Sequence, residues 1–424
     1  MNTASVIDQA QSARTNSQEF RTTLQPVAEK NRIPCLDILR GLAVLGILLI
    51  NIQFFAMAWA KISNLRDGTY SDRPNHLVWL VSQLIAEQKF MAILSLLFGA
   101  GILLMTSRAE ASGKNSAVLH YRRMGWLTVF GLAHAYLLWS GDILVSYAMC
   151  GSLAYLCRKL RPSTLFVLSF SLLAAGSVLS MAYAIWPLTQ FAPELAGLIR
   201  PVSYAQEIAA FRGSWVTQMT PRVQMAVQLE TSEFVIYTFW RATGLMLAGM
   251  ALLKLGVLQG RRSPATYWRM LGVALCVGIP VSLYGIHFAS RLGRTSIYAY
   301  VFGPQFTYWS SLMVSAGWVG ALILASRNSA FLPCLQRIAA VGRMALTNYL
   351  MQTLICTTIF YGHGFGLFGK VDRVGQLVIV IAIWILQLTI SPIWLKHFLY
   401  GPVEWLWRCL TYVRREPFSR AVKA

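Results

Sequence analysis

The chain has 424 residues, of which 56% are hydrophobic and only 12% charged. A soluble domain carries about 25% charged residues, so the composition excludes an ordinary globular protein and points to a chain that crosses a membrane several times. The formal net charge of +21 does not turn this toward nucleic acid. No basic domain, zinc-finger spacing or heptad register accompanies it, and basic residues of membrane proteins collect in cytoplasmic loops.

Taken in chain order, residues 1–34 are polar and rich in Ser, Thr, Gln and Asn, without an apolar run; they read as a flexible cytoplasmic tail. Residues 35–400 read as one all-α transmembrane helix bundle. A helix needs about 20 mostly apolar residues to cross the hydrocarbon core, and about ten segments qualify: 36–58, 77–106, 124–140, 142–159, 163–187, 233–258, 268–290, 298–325, 338–362 and 374–399. The third and fourth form a tight hairpin around Ser140, Gly141 and Asp142. The outer loop 188–232 predicts one or two surface helices lying over the bundle. Residues 401–424 form a basic tail.

With the N-terminus inside, 23 Lys and Arg fall in inner segments and 10 in outer ones, so the bias puts both termini in the cytoplasm. The seven cysteines include no CxxC, which argues against a disulfide framework or a metal site. Residues 364–369, GFGLFG, match GxGxxG literally, but with no strand before them they do not read as a dinucleotide site.

Arg40, Lys89, Arg241 and Lys396 remain within spans, with Asp37, Glu87, Asp142 and Glu404 in or beside them. A charge at the bilayer centre costs about 2.5–3.5 kcal/mol on insertion scales, and such groups usually pair and face an interior or wet cavity. Asn51, Glu87, Lys89, His134, Asp142 and Tyr147 fall at similar depth on four consecutive helices, which predicts one outward-facing polar cavity. The alternative gives each a separate structural role: His134 bonding a neighbouring helix, Asp142 capping a helix N-terminus, Arg40 pairing with Asp37 one turn away. The ninth span carries a polar stripe, Arg343, Thr347, Asn348 and Gln352, that lines the cavity or bonds other helices.

Four blocks in order, LDILRGLAVLGILLINI (36–52), KFMAILSLLFGAGILLM (89–105), GLAHAYLLWSGDILVSYA (131–148) and VGRMALTNYLMQTLICTTIFYGHGFGLFG (341–369), with GPVEWLWRCLTY (401–412), resemble the bacterial YeiB-like family of inner-membrane proteins. Through the first helix that family is distantly similar to membrane acyltransferases, including acyltransferase-3 proteins and heparan glucosaminide N-acetyltransferase. The resemblance implies transfer of an acyl group from cytoplasmic acyl-CoA to an envelope glycan or lipid at the outer face. On that reading His134 is the general base, since imidazole titrates near neutral pH, and Asp142, or failing that Glu87, orients it. Arg40, Arg122, Arg123 and Arg343 contact CoA phosphates, while Asn51, Lys89, Tyr147 and Asn348 hold substrate, with Asn51 and Lys89 facing developing oxyanion charge. Acyltransferase-3 proteins usually carry a histidine where this chain has Asn51. The heparan enzyme resembles this chain in having Asn there, with its active histidine in the next outer loop, which makes His76 the competing histidine. A transporter or flippase for a small anion or lipid, and a non-catalytic envelope-assembly scaffold, are the other function classes. The lipid bilayer is the expected partner, and a homo-oligomer is compatible with the sequence.

Overall fold

The computed structural model describes residues 33–64, 72–185, 204–293 and 296–420. Nearly all of the expected N-terminal tail, and residues 188–203 of the outer loop, lie outside them. Among the described residues there is no strand, only one isolated antiparallel bridge between Phe398 and Ser419. The helices are α1 (Pro34–Ala56), α2 (Trp59–Asn64), α3 (Arg73–Ile85), α4 (Lys89–Ala111), α5 (Ser116–Ala133), α6 (Leu144–Ala154), α7 (Pro162–Ile185), α8 (Tyr204–Arg212), α9 (Met219–Glu230) and α10 (Phe239–Lys254). They continue as α11 (Pro264–Leu292), α12 (Ile297–Ala325), α13 (Leu332–Arg343), α14 (Ala345–Phe360), α15 (Arg373–His397) and α16 (Pro402–Tyr412).

Among the described residues, seven helical runs are long and apolar enough to cross a membrane: α1, α3 with α4, α7, α9 with α10, α11, α12 and α15. The third, fourth and ninth expected spans fall instead on shorter helices. The third is α5, extended by a π-helical turn over His134–Leu138. The fourth is α6, carried on by a short 3-10 turn through Cys157. The ninth is broken in two at Met344, where φ −113° and ψ 34° interrupt the helix between α13 and α14.

Local chemistry accounts for the ends. Pro34 opens α1, where its missing N–H costs nothing. Asn115 caps α5 by accepting from the N–H groups of Ala117 and Val118 at 3.0 and 3.3 Å. Gln88, at φ 62°, turns the chain between α3 and α4. Glu404 of α16 caps α14, accepting from the N–H of Leu346 at 2.7 Å and the N–H and hydroxyl of Thr347 at 3.0 and 2.5 Å. Burial pushes the Glu404 carboxyl above its ordinary value, and those bonds pull the other way.

α1 is the central post. Its apolar window is 67% buried, against 28% for α7 and 22% for α11 and α15, whose outer faces are left for lipid. Two reciprocal glycine contacts draw helices together. A β-carbon on Gly99 of α4 would come within 1.9 Å of the Met246 carbonyl oxygen, and one on Gly249 of α10 within 1.9 Å of the Leu96 carbonyl oxygen. In a membrane, where lipid supplies no hydrophobic drive between helices, such backbone approach is a main source of helix association.

The bundle has two distinct ends. At one, Gly369 donates to the Ala56 carbonyl, Gly362 to the Phe211 carbonyl, and Arg212 to the Phe368 carbonyl. The GFGLFG run is part of this turn, and Gly366 and Gly369 use positive φ there (64° and 75°). At the other end Lys254 donates to the Arg158 and Leu160 carbonyls, Arg327 to those of Gly260 and Arg262, and Arg122 to that of Thr411.

Candidate functional site

His134 stands at the start of the π-helical turn that ends α5. Such one-turn departures from α-helix often mark functional positions. Its Nδ1 lies 2.8 Å from Oδ1 of Asp142, and its Nε2 lies 2.9 Å from the hydroxyl of Thr353 on α14. Both side chains of the His134–Asp142 pair are only 1% exposed, and Thr353 is likewise buried. The second oxygen of Asp142 accepts from the Val145 N–H at 2.9 Å. One carboxylate therefore both orients the imidazole and caps the first turn of α6, so two roles that the sequence sets against each other coexist.

The Tyr349 ring packs on the imidazole at 5.2 Å, and Trp139 meets it edge-on at 6.2 Å. Trp139 in turn stacks on Phe55 of α1 at 4.0 Å. In this apolar frame an unpaired carboxylate or imidazole would be costly; the Asp–His–Thr chain satisfies both ring nitrogens. Above it lies a lid made by α8 and α9, the surface helices expected for the outer loop. Trp215 and Arg222 both donate to the Leu137 carbonyl, at 3.0 and 3.1 Å, and Tyr136 donates to Glu230 at 3.1 Å. Glu207 of α8 accepts from the Trp59 N–H at 3.1 Å. Beneath this lid, Trp59, Trp139, Ser140, Glu207, Phe211 and Tyr361 border a cleft of ≈ 10 Å³, room for about one water.

The other expected site residues separate from this group. Glu87 sits in the turn before α4 and is not bonded to His134, and its buried Oε2 has no hydrogen-bond partner. Asp142, not Glu87, is the orienting carboxylate. Lys89 is fully buried and donates to the Gln83 carbonyl at 2.6 Å, with Glu87 and Arg241 as its charged neighbours. Arg241 donates to the Tyr308 carbonyl and the Ser311 hydroxyl at 3.1 and 2.6 Å. Tyr147 shares a 2.8 Å bond with the Ser95 hydroxyl and donates to the Met91 carbonyl at 3.1 Å. The expected single cavity is thus two polar groups with no direct hydrogen bond between them. Asn51 is half-buried on α1 and makes no hydrogen bond among the described residues. His76 is exposed and packs on Trp79.

Asn348 takes the helix-bonding role. It donates to the Val341 carbonyl and the Ser391 hydroxyl, both at 3.1 Å, and its own carbonyl accepts from Gln387 at 2.9 Å. Gln352 donates to the Val44 carbonyl at 3.1 Å and to Gln387 at 2.9 Å. At the far end of the bundle Arg40 pairs with Asp37 at 2.9 Å. Arg123 lies 4.3 Å over the Trp407 ring, with Arg40 and Arg408 as charged neighbours. Arg122 is exposed and donates to the Thr411 carbonyl at 3.3 Å, and Arg343 ends α13 half-buried. Thr353, Tyr349, Trp139 and Arg222 are the site residues that sequence reasoning missed. Among the described residues no cluster of His, Cys, Asp and Glu could hold a metal ion.

Long apolar helices gathered around buried polar groups define a multi-pass helical membrane protein. Residues 252–414 match a family model described as protein of unknown function (DUF418). The chain is 34% identical to the uncharacterized protein YeiB of Escherichia coli over 89% of its own length and 95% of that protein's. It is 30% identical to the uncharacterized protein YxaH of Bacillus subtilis over 95% of itself and the whole of that protein. A third relative, an uncharacterized 39.9 kDa protein in the amylase 3' region of Bacillus acidopullulyticus, is 29% identical over 93% and 98%. The chain belongs to the YeiB-like family.

Proposed function

We propose that the protein is a membrane acyltransferase of the bacterial cytoplasmic membrane, with both termini inside, that passes an acyl group from acyl-CoA to a hydroxyl or amine of an envelope glycan or lipid at the outer face. The observation that carries this reading is the relay Asp142–His134–Thr353, with links of 2.8 and 2.9 Å. A base held by a carboxylate on one nitrogen and facing a hydroxyl on the other is the arrangement that activates an oxygen nucleophile. Asp142 fixes the tautomer with the proton on Nδ1, leaving Nε2 as the basic atom.

In the resting protein Thr353 occupies the position in front of Nε2. An acceptor hydroxyl replacing it loses its proton to His134 as its oxygen bonds the acyl carbon. The carbon–sulfur bond breaks, and the imidazolium returns the proton to the departing CoA thiolate. The cleft beside Trp139 is too small for an acceptor, so α8 and α9 must lift for entry. Arg123, with Arg40, Arg343 and Arg408 at the opposite end, supplies the positive field for the CoA phosphates.

The separate Lys89–Arg241 group favours a second reading, transport of a small anion, because two buried cations stand near each other with Glu87 beside them. The test is acyl transfer by purified protein in proteoliposomes. His134→Ala abolishing transfer supports the enzyme; anion counterflow without acyl-CoA consumption supports the transporter.

A further inference from the structure

Away from the relay, at the end of the bundle that gathers the C-terminal residues, the surface carries a groove of ≈ 580 Å³ between α5 and α16. Trp126, Trp405, Leu410 and Val413 form its apolar walls, and Arg122, Arg414 and Arg415 stand on its rim. Arg415 is exposed, with no hydrogen bond or ion pair to another described residue. Arg122 is exposed too, and its bond to the Thr411 carbonyl at 3.3 Å holds the guanidinium at the groove. Arg414 is taken by the buried Glu416 at 2.5 Å, which leaves the rim positive through Arg122 and Arg415.

Two further observations point to an occupant. Val413 takes φ 53°, a conformation that is an outlier for a β-branched residue. That strain turns the chain back after α16 and brings Arg414 and Arg415 round to the groove instead of on along the helix axis. Strained positions of this kind gather at ligand sites. The wall contributed by α5 is continuous with a face exposing Val118 at 51% and Val129 at 49%, a face suited to acyl chains. The groove thus opens on its apolar side toward the bilayer and on its charged side toward the headgroup layer.

We infer that this groove binds one anionic glycerophospholipid of the surrounding leaflet, its phosphate on Arg122 and Arg415 and an acyl chain along Trp126, Trp405 and Val413. Basic pockets next to membrane helices recognise acidic headgroups in this way, and the two guanidiniums offer bidentate donors to phosphate oxygens. The inference is independent of acyl transfer.

The test is native mass spectrometry of the full-length protein, delipidated in detergent and titrated with dimyristoyl-phosphatidylglycerol, with phosphatidylcholine of the same chains, and with palmitoyl-CoA. The expected result is at least tenfold tighter binding of the phosphatidylglycerol than of the phosphatidylcholine. The Arg122→Gln/Arg415→Gln double variant loses that preference and Arg122→Lys/Arg415→Lys keeps most of it, which separates charge from folding. Equal binding of the two lipids by the unaltered protein, or an undiminished preference in the Gln variant, overturns the inference. So does palmitoyl-CoA displacing phosphatidylglycerol with higher affinity, which makes the groove a thioester site.

Discussion

A β-carbon on Gly131 would stand 2.9 Å from Oδ2 of Asp142 and 2.7 Å from the Val145 nitrogen that this oxygen accepts from. α5 and the start of α6 approach this closely only because residue 131 is glycine, and the approach sets the carboxylate under the imidazole. Gly131→Ala should therefore push Asp142 off His134, with a loss of about 1–3 kcal/mol from overpacking. Thermal unfolding in detergent measures the loss; an unchanged midpoint would show that the hairpin relaxes freely.

Asp142 has two separable jobs. Asn caps helices about as well as Asp, so Asp142→Asn should leave unfolding within about 0.5 kcal/mol of the parent. It cannot hold the imidazole tautomer in the same way, and losing the orienting carboxylate costs about 10⁴-fold in a related relay. Acyl transfer should fall by at least about 100-fold. Equal losses of stability and activity would reduce Asp142 to a cap.

The Asn348–Gln352–Gln387–Ser391 network is predicted to be structural. Gln387→Leu removes the bond to the Asn348 carbonyl and one of the two bonds of the Gln352 amide, whose other bond, to the Val44 carbonyl, remains; a buried group left short of a partner costs about 1–3 kcal/mol. The unfolding midpoint should drop, while the KM for acyl-CoA in the surviving folded fraction stays constant. A changed KM at unchanged stability would place the network in substrate binding.

The lid has a pH dependence of fixed sign. Burial raises the Glu207 carboxyl above its ordinary 4.5, against the opposing Trp59 hydrogen bond. A raised acid favours the docked state below its undocked value, and that contribution is lost as pH rises through the docked value. Protection of residues 204–212 from hydrogen exchange, corrected for intrinsic rates, should be higher near pH 4.5 than near pH 8. Glu207→Gln should flatten the difference. Protection rising with pH would contradict the assignment.

The sequence exposes His134 and Asp142 because titratable residues eight apart in an apolar run are conspicuous, and a hairpin of almost no length between them forces their helices together. It hides Thr353, a hydroxyl 219 positions further on with nothing to mark it among other span threonines. Equal depth does not imply convergence. Glu87 and Lys89 read from the sequence as matching His134 in depth, but they sit just before and at the start of α4, with Gln83 and Arg241 as the neighbours of Lys89. Nor does hydropathy reveal the break at Met344: the run 338–362 is apolar enough to read as one span, and it is the Met344 backbone and the cap from Glu404, 58 positions beyond Leu346, that show a new N-terminus at Ala345.

The most direct measurement follows radiolabel from acetyl-CoA and palmitoyl-CoA into the envelope glycan and lipid fractions of membranes containing the parent protein or His134→Ala, compared with membranes lacking both. The proposed chemistry predicts incorporation that depends on the parent protein and vanishes with His134→Ala, while Thr353→Ser retains it. Equal incorporation in all three membranes, or full incorporation by His134→Ala, would contradict it.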